Sequence, residues 1–273
     1  MPELLSPAGN FEKMKAALRY GADAVYMAGK RFGMRSAAEN FTDDELREAI
    51  AYAHALGKKV HITVNTLPRT GEYTALRDYF EFLKEIEPDA LIIADAGVFA
   101  LAREVLPEID IHVSTQAGIV SAADCLFWRS LGAKRAVLAR ELSLKEITEI
   151  RENVPDDFEI ETFVHGSMCV SFSGRCLLSN ALTGRDGNRG ACAQPCRWSY
   201  TISEEKRKDS PLPIEETPDG TFIMSSKDMC MVEHIPELIR AGISSFKIEG
   251  RMKSAYYTAV VTNAYRAAID GYE

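Results

Sequence analysis

The sequence predicts an α/β protein built as a (β/α)8 TIM-like barrel, and three observations lead there. First, one local pattern recurs. A helical segment stops at a glycine, a few small or polar residues follow, and a short apolar run comes next. Leu18-Arg19-Tyr20-Gly21 stands before Ala24-Val25-Tyr26-Met27, and Ala55-Leu56-Gly57 before Val60-His61-Ile62-Thr63-Val64. Ser130-Leu131-Gly132 stands before Arg135-Ala136-Val137-Leu138, and Ile239-Arg240-Ala241-Gly242 before Ser245-Phe246-Lys247-Ile248. Glycine adopts the left-handed conformation after a helix at little cost, so each repeat reads as helix stop, tight loop, strand. Second, the runs are short and nearly continuous in apolar residues, which suits a parallel sheet covered by helices. Third, eight such runs fit into 273 residues, a length typical of this barrel. An open doubly wound sheet is the runner-up. Against it, the first strand–loop, Ser6-Pro7-Ala8-Gly9-Asn10, lacks the Gly-x-Gly-x-x-Gly phosphate fingerprint.

The strands are expected at Glu3–Ser6, Ala24–Met27, Val60–Asn65, Ala90–Asp95, Ile109–Ser114, Arg135–Ala139, Glu159–Val164 and Ser245–Ile248. The segments between them carry apolar residues at helical spacing: Phe11, Met14, Ala17 and Leu18; Leu46, Ile50 and Ala53; Leu144, Ile147 and Ile150. Between residues 166 and 220 the alternation breaks. This stretch reads as an insertion after the seventh strand, with a loop tip near Lys206–Asp219. A ninth apolar run, Thr221–Ser225, sits close to the last strand or pairs with Trp198–Ile202 as a hairpin. Helices at Val232–Ala241 and Tyr256–Ile269 then complete the eighth unit, so residues 1–273 are expected to form a single barrel domain.

A hydrophobic content of 46% with 26% charged residues excludes a disordered or low-complexity chain. The net charge of −8 argues against a protein that coats nucleic acid non-specifically. No basic segment followed by a long apolar stretch marks a signal peptide, and no run approaches the roughly 18–20 residues of a membrane span. A cytoplasmic location without membrane attachment is therefore expected, where six cysteines are not a disulfide framework.

In a barrel, chemistry sits at the C-terminal ends of the strands. Those positions hold Ser6 and Asn10, Tyr26 and Lys30, Asn65, Asp95, Ser114 with Gln116, Arg140 with Glu141, His165, and Lys247, Glu249 and Arg251. Many such groups serve only as caps and loop hydrogen bonds. His165 reads either as a loop residue bonded to backbone or as an acid–base group beside the cysteines. Lys247, Glu249 and Arg251 alternate, so they share one side of their strand. They form either a structural ion network or part of the chemistry.

Four cysteines cluster as Cys169-x6-Cys176-x15-Cys192-x3-Cys196. Thiolates are the soft ligands of zinc and of iron–sulfur clusters. Structural zinc sites use tight pairs of ligands, and only the second pair here obeys that. The wide, irregular spacing leans toward a cluster, with zinc the alternative and inert free thiols the plain reading. Cys230 is a fifth candidate that could replace one of the four, and Cys125 lies in an apolar helix and reads as core. Residues 166–200 also carry four arginines, Arg175, Arg185, Arg189 and Arg197, against Asp186, a net +3. Arginines beside glycines suit phosphate or carboxylate. No Gly-x-Ser-x-Gly elbow and no His-Glu-x-x-His helix backs a conventional hydrolase.

These residues together resemble a known family. Phe163-Val164-His165-Gly166-Ser167-Met168-Cys169, Ser173-Gly174-Arg175-Cys176-Leu177, Arg189-Gly190-Ala191-Cys192 with Cys196-Arg197-Trp198, Ser226-Lys227-Asp228 and Phe246-Lys247-Ile248-Glu249-Gly250-Arg251 are similar to the collagenase-like peptidases of unknown catalytic type, family U32. Glu3-Leu4-Leu5-Ser6-Pro7-Ala8-Gly9 and Gly21-Ala22-Asp23-Ala24-Val25-Tyr26 fit as well. Within that family the chain most resembles the branch that hydroxylates the wobble uridine of tRNA to 5-hydroxyuridine, which depends on prephenate metabolism and iron–sulfur biogenesis. Related members act in oxygen-independent ubiquinone hydroxylation and carry a four-cysteine 4Fe–4S cluster. The resemblance implies such a cluster at Cys169, Cys176, Cys192 and Cys196, with Cys230 as the alternate ligand. It implies tRNA as partner, together with a prephenate-derived small molecule. Many relatives continue into a C-terminal domain that this chain lacks, so RNA binding would draw on a second subunit or a further segment. His165, Glu249 and Lys247 are then the catalytic candidates. Asn65, Gln116, Arg140, Arg175 and Arg251 are the substrate-binding ones, with Arg140, Lys247 and Arg251 suited to a carboxylate or phosphate. The rival readings are a collagenase-like peptidase and a non-catalytic, metal-stabilised RNA-binding subunit.

Overall fold

The computed structural model describes residues 1–34, 39–169, 176–198, 201–202, 212–213 and 228–272. Strand and helix alternate as the glycine stops require: β1 (Glu3–Pro7), α1 (Phe11–Arg19), β2 (Ala24–Met27), α2 (Asp43–Ala55), β3 (Lys59–Val64), α3 (Tyr73–Ile86), β4 (Ala90–Ile93), α4 (Ala96–Val105), β5 (Asp110–Val113), α5 (Ala122–Ser130), β6 (Arg135–Val137), α6 (Leu144–Glu152) and β7 (Glu159–Ser167). The excursion after β7 holds α7 (Leu178–Thr183), β8 (Thr201–Ile202), β9 (Leu212–Pro213) and β10 (Asp228–Cys230). The last unit is α8 (Ile235–Arg240), β11 (Ser245–Ile248) and α9 (Ala255–Asp270). Parallel pairing runs from β1 through β7 in order, then to β11, and closes where Glu3 faces Ser245 across β1 and β11. The ring of eight parallel strands is the expected (β/α)8 barrel.

The stop glycines behave as read, with Gly21, Gly57, Gly132 and Gly242 all at positive φ between 66° and 106°. Helix starts are set by side-chain caps that accept otherwise orphaned N–H groups. Thr42 with Glu45, Ser121 with Asp124 and Ser143 with Glu146 make reciprocal capping boxes. Asn10 and Asp95, polar strand-end groups in the sequence, are such caps for α1 and α4.

Period-two alternation sorts each strand into two faces. Leu4, Val25, Val60, Ile62, Leu91, Ile111, Ala136, Ile160 and Phe246 join one large core between strands and helices. The opposite face fills the barrel and departs from the expectation of nearly continuous apolar strands. It holds a small apolar cluster of Leu5, Ala24, Tyr26 and Ile92, and beside it His61, His112, Arg135, Glu161 and Lys247, all at most 4% exposed. Buried charges persist only when paired, and these are. The Glu161 carboxylate accepts from Lys247 Nζ at 2.7 Å and from Arg135 Nη1 at 2.9 Å. Arg135 also meets Glu3 and Glu159, each at 2.6 Å. Burial alone would raise the Glu161 pKa, but Lys247 and Arg135 outweigh it and hold it at about 2. The His61 and His112 rings pack edge to face at 4.7 Å. Burial pushes His61 down to about 4 against the pull of Glu3, and His112 falls well below its usual value for the same first reason.

This interior makes the fold acid-sensitive. The unfolded chain protonates His61 near pH 6.5, whereas the folded chain resists until about 4, so stability is lost as pH falls through that window. Glu161 adds a further loss between about 4.5 and about 2. The urea midpoint is expected to fall steadily from pH 6.5 to 4, and His61→Leu to flatten that slope. A midpoint constant over this range in the parent protein would contradict the burial of neutral His61.

Two boundaries differ from the sequence reading. β7 runs on to Ser167 because β10 pairs antiparallel with its end, Asp228 facing Ser167 and Cys230 facing His165. The insertion expected over 166–220 thus returns to the barrel at Asp228. Thr201–Ile202 pairs antiparallel with Leu212–Pro213, so the tract read as loop contributes a strand. Thr221–Ser225 itself lies outside the described residues.

Candidate active site

The C-terminal ends of the strands and the insertion enclose a cavity of about 110 Å³, room for several waters or a small molecule. The barrel supplies Tyr26, Thr63, Asn65, Ile92, Ser114, Gln116, Val137, Arg140, Phe163, Lys247, Glu249 and Arg251. The cap supplies Cys169, Cys176, Gly187 and Cys192. Specific contacts hold that cap down. Arg189 bonds Glu72 at 3.0 Å and the Leu67 carbonyl at 3.0 Å, and Leu67 N–H donates to the Asn188 carbonyl. Gly190 (φ +91°) lies so close to the Gly33 carbonyl that a Cβ would stand 2.8 Å from it.

The wall is cationic. Arg140, Lys247 and Arg251 face one carboxylate, Glu249, with Glu161 buried beneath Lys247. Lys247, Glu249 and Arg251 line the same cavity, as alternation requires, and each also meets a partner across the ring. Lys247 bonds Glu161 and stands 4.6 Å from the Tyr26 ring centre. Burial pulls its pKa down against the opposing pull of Glu161. Glu249 lies 3.8 Å from Arg140 Nη2 and accepts from Tyr26 Oη at 3.3 Å. Arg251, 3% exposed, donates to Thr63 Oγ1 at 3.3 Å. Arg140 stacks on Phe163 at 3.9 Å, donates to the Ser167 carbonyl, and keeps a buried Nε with no hydrogen-bond partner. Asn65 Nδ2 donates to Gln116 Oε1 at 2.6 Å, so these two amides act as one unit. Arg175 lies outside the described residues.

Three of the four clustered cysteines therefore reach one cavity. Backbone N–H groups stand near two of the sulfurs, Leu178 N 3.3 Å from Cys176 Sγ and Gln194 N 3.4 Å from Cys192 Sγ. Among the described residues no three His, Cys, Asp or Glu side chains converge closely enough for a single metal ion. An all-thiol set is the donor chemistry of iron–sulfur clusters and of structural zinc. Cys196 lies on the turn Pro195–Arg197, half-buried and outside the cavity wall. Cys230 is exposed on β10, where Tyr265 Oη stands 3.9 Å from its sulfur. Cys125 is core as expected, and burial pushes its thiol up to about 12.

His165 is not in the cavity. Lys247 pairs with Phe163 but Ile248 pairs with His165, so Val164 is bulged out of the ladder. A bulge reverses the side-chain alternation beyond it. It turns His165 to the outer face, against the Tyr257 and Tyr265 rings of α9. Tyr265 Oη donates to the Val164 carbonyl at 2.6 Å, so it accepts from His165 Nδ1 at 3.2 Å and from Met231 N–H at 2.9 Å. Burial lowers the His165 pKa. Its contacts tie β7, β10 and α9 together where the chain returns from the insertion. Gly166 follows at φ +111°, and a Cβ there would stand 2.4 Å from the Glu249 carbonyl. Gly166→Ala is expected to cost about 1–3 kcal/mol, a fall of several degrees in melting temperature, and to displace Glu249. An unchanged melting curve would show that the strand ends can part without penalty.

Comparison with known proteins finds named relatives and a structural neighbour. The chain is 44% identical over 271 residues to tRNA hydroxylation protein P1 of Bacillus subtilis, covering 99% of this chain and 64% of that protein. It is 46% identical to tRNA hydroxylation protein P of Helicobacter pylori, covering 99% of this chain and 65% of that one. It is also 38% identical to a ribosomal RNA 5-hydroxycytidine synthase of Escherichia coli, covering 98% of this chain and 39% of that enzyme. The chain thus spans about two thirds, 64% and 65%, of the first two relatives' lengths. A U32 peptidase of solved structure superposes with a TM-score of 0.60 at 16% identity, covering 91% of this chain and 92% of that one, which shows the shared barrel. The sequence model of the family matches residues 9–273, and the chain belongs to peptidase family U32.

Proposed function

We propose that this chain takes part in hydroxylating RNA, and specifically in forming 5-hydroxyuridine at the tRNA wobble position with an iron–sulfur cluster. One observation carries the reading: the thiols of Cys169, Cys176 and Cys192 share a cavity with Arg140, Lys247 and Arg251. A cluster held by Cys169, Cys176, Cys192 and Cys196, with Cys230 as alternate, would supply one-electron chemistry there. The cations hold an anionic small molecule, for which a prephenate-derived carboxylate is the proposed occupant. Arg140 offers its guanidinium edge, and its buried, unpartnered Nε gains a partner when an anion arrives. Glu249, beside Tyr26 Oη, is the group placed to move a proton. Lys247, paired with Glu161, keeps its charge and orients the anion. The names of the relatives support RNA as substrate.

Peptide cleavage has less support. Among the described residues of the cavity, the Ser114 hydroxyl donates to Gln116 Oε1, and no imidazole stands beside it to act as base. No helix among the described residues is long and apolar enough to cross a membrane. Mass spectrometry of tRNA from a strain lacking this protein and its paralogues is expected to show 5-hydroxyuridine lost, and restored by the gene. Unchanged 5-hydroxyuridine would overturn the proposal.

A further inference from the structure

Next to the central cavity lies a second, larger groove of about 570 Å³. It runs between the ends of β4 and β5 and the cap. Met34 and Gln116 line both spaces, so they form the partition between them. Among its described lining residues one is aromatic, Trp128, held by Phe99 at 5.3 Å and Phe127 at 5.5 Å between ring centres. It also has Leu177, which is 77% exposed although it borders the cap's Cys176. Its polar groups are sparse. Asp95 Oδ1 caps α4 through the Val98 N–H and accepts from Tyr73 Oη, and neither bond uses Oδ2. Asn188 Nδ2 donates to the Cys176 carbonyl at 3.1 Å, which engages one of its two amide hydrogens.

Apolar walls with a few acceptors and donors at the edge are what an unstacked nucleobase needs. Its faces are satisfied by aromatic and aliphatic side chains and its edge by hydrogen bonds. The groove, at about 570 Å³, falls within the size of ordinary ligand sites, roughly 300–1,000 Å³. We infer that this groove receives an unstacked uracil of the RNA, with Trp128 and Leu177 against its faces and Asp95 Oδ2 accepting its N3–H. The inference rests on the RNA reading above and adds to it where the base sits. The small anion then occupies the central cavity, and the base approaches it past Met34 and Gln116. Cytosine carries a lone pair where uracil carries N3–H, so Asp95 opposes it there.

The chain has two tryptophans, so Trp198→Phe leaves Trp128 as the only indole reporter. Heptauridylate titrated into this variant is expected to quench its fluorescence. An abasic oligomer of the same length is expected to bind at least about tenfold more weakly, the scale of one lost base stack, and heptacytidylate about tenfold more weakly because its N3 lone pair faces the Asp95 carboxylate. Leu177→Asp, an exposed change that spares the fold, is expected to weaken uridylate binding about tenfold. Asp95→Asn keeps an α4 cap and is expected to abolish the preference for uridylate over cytidylate. Equal quenching by all three oligomers, or uridylate binding untouched by both substitutions, would overturn the groove assignment. If 5-hydroxyuridine in tRNA also persists unchanged in the Leu177→Asp strain, the groove assignment fails and the hydroxylation reading stands. If it persists in the deletion strain itself, the hydroxylation reading fails.

Discussion

Cys176→Ser or Cys192→Ser is expected to empty the protein of iron and sulfide while leaving the barrel folded. Both residues sit half-buried in the cap, away from the core that holds strands and helices together. Serine removes the soft donor that a cluster needs and keeps nearly the same volume. The Leu178 and Gln194 N–H groups can turn to the new hydroxyl oxygen, so little backbone order is lost. The melting temperature of the iron-free protein should change by a few degrees at most. Iron and sulfide should fall to background, and 5-hydroxyuridine in the complemented deletion strain with them. Cys125→Ser gives the opposite pattern. It puts a hydroxyl into a fully buried apolar site, so it should lower stability and leave iron content intact. Full iron content in both cap variants would remove these thiols from the proposed centre.

The second large effect falls on stability. Lys247→Met should destabilise the fold by about 3–5 kcal/mol, because it strips the fully buried Glu161 of one of its two cationic partners. For a chain of this size that corresponds to a drop in melting temperature on the order of ten degrees. The double variant Glu161→Gln/Lys247→Met should recover more than half of the loss, since the stranded carboxylate is gone. Arg135 still has Glu3 and Glu159. A Lys247→Met protein that melts with its parent would mean that Lys247 is a solvated cation of the mouth and that Glu161 does not depend on it.

How much of this was legible in the sequence depends on how local the signal is. The barrel rests on short-range signals, a stop glycine ahead of four of the eight strands and a short apolar run at each, and all eight runs fold as strands. The charged mouth was also legible, because Arg140, Lys247, Glu249 and Arg251 directly follow or continue strands. The polar barrel core was less so. His61, His112, Arg135 and Glu161 sit at every second position of strands read as apolar runs, as in Val60-His61-Ile62 and Ile160-Glu161-Thr162. The period-two signal was present in those residues but was outweighed by the β-branched neighbours. His165 was misplaced for a different reason. Its direction depends on a bulge at Val164, which arises from register against β11 and leaves no mark in the local sequence. The pairing of Cys230 with His165 depends on where a long excursion returns, which spacing along the chain does not encode.

The central claim is that thiols of the cap hold an iron–sulfur centre over the cationic mouth of the barrel. Its most direct test is the visible absorption spectrum of the protein purified without oxygen, with iron and sulfide measured on the same sample. Iron and acid-labile sulfide in equal amounts, with a broad charge-transfer band that disappears in Cys176→Ser and Cys192→Ser, is the expected result. A colourless protein that carries zinc alone, or cap thiols that all react freely with a thiol reagent in the iron-supplied protein, would contradict it.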